Sequence, residues 1–151
     1  MIGAAIKDLQ GILQQKGCEC SFDPDPALPH VYIDIKQFSY CVRTLIINVI
    51  NGRSGERVGI LASGQNDSIR ISIEDKGRTV TQEELDQILT PFAITHDMGT
   101  GIGLALCRTM LEKQGIPLAV TAPPEGGITY TITLPTRKEE QLHEQITCSR
   151  R

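Results

Sequence analysis

Three sets of residues in this 151-residue chain have the types and spacing for chemistry. Gly99, Gly101 and Gly103 alternate, and an apolar helical pattern follows them to Leu111. Glycine lets backbone amides approach a ligand, and the free N–H groups of a first helical turn favour an anion, so this run suits a phosphate. No Gly-Lys-Ser/Thr follows, which excludes a Walker loop, and Pro91 in the preceding segment excludes the strand-led dinucleotide motif. The second set is Glu74-Asp75-Lys76-Gly77, a carboxylate beside a glycine at the end of the alternating run Ile69, Ile71, Ile73. The third is Asn48, set among the apolar positions Phe38, Val42, Leu45, Ile46, Val49 and Ile50 of one helical pattern. An asparagine in a helix interior is disfavoured and needs a hydrogen-bonding or ligand reason.

The elements that must position these residues follow from periodicity. Ile2–Gln15 has helical spacing and Gly17 ends it; the segment reads as the end of a connecting helix from an upstream region. Residues 18–22 and 31–35 read as strands on either side of a proline-rich turn, and Asp34 is placed to cap the helix from Gln37 to Ile50. Residues 58–63 and 68–74 read as a hairpin around Gly64-Gln65-Asn66-Asp67. Thr81-Gln82-Glu83-Glu84 has the form of a capping box before a short helix. Residues 104–114 form a helix ended by Gly115, and 118–121 with 127–134 form a second hairpin closed by Pro123-Pro124-Glu125-Gly126. From Thr136 onward the chain is polar and charged, a tail.

Composition narrows the function classes. A net charge of −3 without a basic block argues against nucleic acid as a partner, and no apolar run is long enough to span a membrane. Five cysteines without metal-type spacing suggest reduced thiols in the cytosol. Cys18-Glu19-Cys20 puts two thiols on one face of a strand, where they read as buried small hydrophobes.

Taken in order, these stretches resemble the boxes of the histidine-kinase-type ATPase superfamily, which also includes gyrase, Hsp90 and MutL. Arg43-Thr44-Leu45-Ile46-Ile47-Asn48-Val49-Ile50-Asn51 resembles the asparagine box, Glu74–Thr79 the first glycine box, Phe92 the phenylalanine box, and Gly99-Thr100-Gly101-Ile102-Gly103-Leu104 the second glycine box. The resemblance covers residues 16–135 and implies a Bergerat-type ATP-binding fold. That fold is a two-layer α/β sandwich, with a mixed, mostly antiparallel sheet under three helices. It implies Asn48 as the Mg²⁺ ligand and Asp75 as the acceptor for the adenine amino group. It implies Gly77 as the place where the base lies against backbone. Residues 90–98 correspond to a lid. Thr44 stands where histidine kinases carry a further Asn and hydrolysing relatives a Glu base. Asn51 stands where a phosphate-side cation is usual, and Thr79 replaces a second glycine.

The activity implied is transfer of the ATP γ-phosphoryl group to a histidine on a separate dimerisation domain, with a response regulator receiver domain as further partner. None of His30, His96 and His143 fits the acceptor motif. The expected location is the cytoplasm, either free or as the cytosolic part of a membrane-anchored sensor, with no membrane contact by residues 1–151. Two alternatives stay open: a degenerate kinase-like domain that works as a docking module, and a serine kinase or ATPase of the same superfamily.

Overall fold

A computed structural model describes residues 1–51, 57–75, 77, 79–90 and 102–136. The chain starts with two short helices, α1 (Ile2–Asp8) and α2 (Gln10–Gln15), joined at Leu9. The helical spacing of the first fifteen residues is thus divided into two pieces. Both turn their apolar side inward: Ile2, Ala5, Leu9 and Leu13 are buried, and α1 packs on α3 (Ile35–Asn51). The Arg43–Asp8 ion pair between them is 3.2 Å long and solvent-exposed, so burial of the apolar side is the larger contribution.

Strand β1 (Glu19–Pro24) follows, but residues 31–34 form no strand. Their alternation is real, since Val31 and Ile33 are half-buried against the core while Tyr32 is exposed. Alternation alone does not make a strand without a neighbouring backbone to bond. The segment instead leads into α3, where the N–H groups of Lys36 and Gln37 donate to Asp34 Oδ1 at 2.9 and 3.0 Å. That is the expected cap, satisfying two donors that the helix itself leaves open.

The remaining elements are β2 (Arg57–Gln65), β3 (Ser68–Asp75), α4 (Gln82–Leu89), α5 (Ile102–Glu112), β4 (Leu118–Thr121) and β5 (Ile128–Pro135). The strands form one sheet in the order β1-β2-β3-β5-β4. Only β1 and β2 run parallel, with α3 crossing between them; the other pairs are antiparallel. The β2–β3 hairpin turns through Asn66-Asp67, and Asn66 takes a positive φ of 47° that asparagine tolerates better than most residues. At α4 the full capping box is present: Thr81 Oγ1 accepts from the Glu84 N–H, and the Glu84 carboxylate accepts from the Thr81 N–H.

Alternate residues of β3 and β5 face inward: Ile69, Ile71 and Ile73 on one, Ile128, Tyr130, Ile132 and Leu134 on the other. The buried stripe of α3, from Phe38 to Ile50, and Leu104, Cys107 and Leu111 of α5 belong to the same core. The opposite side of the sheet carries Ser72, Thr131 and Thr133. This is a two-layer arrangement with the apolar layer between helices and sheet.

Candidate functional site

Asp75 ends β3 in register with the inward series, directly after Ile69, Ile71 and Ile73, on the side of the sheet that faces the core. It is the one buried charged residue among the described residues, and its Oδ1 has no hydrogen-bond partner there. Its strand partners are apolar, Val58 on β2 and Ile128 on β5. Burial raises its carboxyl above the ordinary aspartate range. Its charge reaches two neighbours. It opposes ionisation of Cys18, and it adds to the burial that pushes the Tyr130 hydroxyl up to about 12.

A buried acceptor without a donor is costly unless something supplies the donor. The arrangement therefore fits a ligand with an N–H group, such as the exocyclic amine of adenine. Gly77, half-buried, lies two residues on.

Across the core, α3 and α5 meet through small side chains. A Cβ built on Gly103 falls 3.1 Å from Thr44 Cγ2, closer than such contacts ordinarily allow. One turn before Thr44 and one turn after Gly103, Cys41 and Cys107 reach reciprocally: each thiol approaches the other's backbone carbonyl, at 3.8 and 4.0 Å. Both are fully buried. Cys41 and Thr44 beside the Cys107 thiol hold it below the ordinary thiol value, whereas Cys107 and burial push Cys41 up.

Of the residues singled out from sequence, the structure brings Thr44 against Gly103 and sets Asn48, half-buried, one helical turn beyond Thr44. Asn51 ends α3 and is exposed. Ile102 is exposed at the start of α5, whereas Leu104 is buried in the core. Phe92, Gly99, Thr100 and Gly101 lie outside the described residues.

Two features escaped the sequence reading. The Cys41–Cys107 pairing joins residues far apart in the chain, so no local pattern marks it. Gly127 has a φ of +85° and is buried, and a Cβ there would fall 1.7 Å from the Asp75 carbonyl oxygen. The doublet Gly126-Gly127 before an alternating strand was the available sign, since glycine at a strand start marks a turn or a close backbone approach.

The fold is that of histidine kinase catalytic domains. The solved catalytic domain of histidine kinase ThkA superimposes with a TM-score of 0.78 at 22% identity, covering 89% of this chain and 90% of that one. Full-length ShkA in complex with AMPPNP gives 0.76 at 20% identity, covering 89% and 29%. The family model "Histidine kinase-, DNA gyrase B-, and HSP90-like ATPase" matches residues 33–138, and the chain belongs to this family. Among curated relatives, the sensor histidine kinase ZraS of Escherichia coli K12 is 31% identical over 125 residues, covering 80% of this chain and 27% of its own length. The aerobic respiration control sensor protein ArcB of the same organism is 30% identical over 130 residues, covering 80% and 17%. The chain thus spans 27% and 17% of the length of these two relatives.

Proposed function

We propose that this domain binds ATP with Mg²⁺ and donates the γ-phosphoryl group to a histidine on a separate dimerisation domain of a cytoplasmic or membrane-anchored sensor kinase. The observation that carries the reading is the buried Asp75 carboxylate, facing the core with one oxygen lacking a donor among the described residues. The adenine 6-amino group is a donor of the required kind, and Gly77 would admit the base against backbone. The second glycine box, before and at the start of α5, would receive phosphate oxygens, since a helix N-terminus favours anions. The Asn48 carboxamide would hold Mg²⁺ through its oxygen. Bound Mg²⁺ supplies neutralisation of the triphosphate charge.

The role of the chain's own residues is then positioning and charge balance. Thr44 has its methyl group against Gly103. It supplies no carboxylate to activate water, which supports transfer over hydrolysis. ThkA has been solved in complex with the response regulator protein TrrA, and by analogy the phosphohistidine formed here would pass its phosphoryl group to a receiver domain.

The test is Mg²⁺-dependent ATP binding by calorimetry on the natural chain and on Asp75→Asn. Loss of a hydrogen bond to a charged acceptor is worth about 1.5–3 kcal/mol, so the variant is expected to bind roughly 10- to 100-fold more weakly. Absence of binding by the folded natural chain at millimolar ATP would overturn the reading and favour a docking module.

A further inference from the structure

We infer that Gly127 is a positioning residue for Asp75, and that its missing side chain sets how well the site distinguishes adenine from a purine without the 6-amino group. This rests on the ATP reading above.

The geometry leaves no room at this position. A Cβ on Gly127 would fall 1.7 Å from the Asp75 carbonyl oxygen, 2.7 Å from its carbonyl carbon and 3.1 Å from the Gly77 nitrogen. All three are backbone atoms, so no rotamer change relieves the clash; backbone must move, either at Gly127 or at Asp75 and Gly77. With φ at +85°, Gly127 also holds a conformation that L side chains rarely adopt. Gly126 before it is at +102°, and Ile128 after it pairs with Asp75 in the sheet. The start of β5 therefore forms a seat made of backbone alone.

That seat matters because of what Asp75 lacks. Oδ1 has no partner among the described residues, and the strand neighbours Val58 and Ile128 are apolar. An acceptor not steered by a donor takes its direction from its backbone. Moving the peptide by a few tenths of an ångström redirects the carboxylate, and hydrogen-bond strength falls steeply with angle. Phosphate contacts made at the start of α5 arise from another part of the chain and need not follow.

The experiment compares ATP with purine riboside triphosphate, which lacks the 6-amino group, by calorimetry on the natural chain, Asp75→Asn, Gly127→Ala and Gly115→Ala. Gly115 is the control: its φ is +70°, yet a Cβ there meets nothing within 4 Å. It reports the effect of a left-handed alanine without a clash. The natural chain and Gly115→Ala are expected to prefer ATP by about tenfold or more, the scale of one hydrogen bond to a charged group. Gly127→Ala is expected to lose that preference, falling to a ratio near that of Asp75→Asn, while its affinity for the purine analogue changes little. Should Gly127→Ala be unfolded in buffer, all four proteins are titrated in trimethylamine oxide, which favours the compact state, and the ratios are compared there. A folded Gly127→Ala that keeps the natural ratio overturns the inference and leaves the ATP reading intact. A natural chain that binds both nucleotides equally removes the assignment of Asp75 to adenine, and this inference with it.

Discussion

On the proposed reading, Asp75 pulls stability and binding in opposite directions. Burial raises its carboxyl, so the fold favours the protonated form. Stability linked to that proton is fully present below the unfolded carboxyl pKa and is lost as pH rises through the folded one. At neutral pH the ionised group is therefore a liability to the fold. Asp75→Asn removes the buried charge while leaving a polar amide in its place, and is expected to raise the urea midpoint of the ligand-free protein at pH 7. The gain should shrink toward zero by about pH 4, as the natural side chain takes up its proton. Urea unfolding at the two pH values measures this, and an unchanged midpoint at pH 7 would contradict it. The same substitution is expected to weaken ATP binding, a conflict typical of residues kept for function.

Between elements, the telling contact is Gly103 of α5 against Thr44 of α3. Alanine gains about 1 kcal/mol over glycine in a helix interior and less at Gly103, the second residue of α5. Here the new methyl would fall 3.1 Å from Thr44 Cγ2, so overpacking opposes that gain. Thr44→Ser removes the obstructing methyl and keeps the hydroxyl. Gly103→Ala should therefore be neutral or destabilising alone but stabilising in the Thr44→Ser background. The expected coupling is about 0.5 kcal/mol or more in a denaturation cycle. Additive effects would mean that the helices already yield at this point.

Over the whole molecule, thiol reactivity reports how cooperative the core is. Cys20 is half-buried on the edge strand β1, with its thiol pushed up to about 11 by burial, while Cys41 and Cys107 are fully enclosed between α3 and α5. Among the described cysteines, a maleimide at neutral pH is expected to label Cys20 before Cys41 and Cys107. Cys41 and Cys107 should label together, at the rate of global opening, because neither is exposed without parting the two helices. Mass spectrometry of timed samples checks the order. Much of this architecture was legible beforehand for local reasons. The β3 alternation carried Asp75 onto the inward side, Asp34 and Thr81 announced their helices, and Asn66-Asp67 marked its turn. The strand expected at 31–35 failed because alternation says which side is buried and not whether a neighbouring backbone is there to bond. The Gly127–Asp75 approach and the Cys41–Cys107 contact were hidden because they depend on pairings between distant parts of the chain.

The sheet order also says something about when the site comes into being. The β2–β3 hairpin closes through a two-residue turn, whereas β3 reaches β5 only after α4, α5 and β4 have intervened, pairing Asp75 with Ile128 and Ser68 with Pro135. Short loops close at little entropic expense and long ones form later. During refolding, Asp75 is thus delivered early on a hairpin, but the glycine seat beside it arrives only when β5 docks. A chain that has made its hairpin and its first crossover already holds the carboxylate at a strand end, yet nothing aims it. On the proposed ATP reading, competence to discriminate a base would come only once β5 has paired with β3.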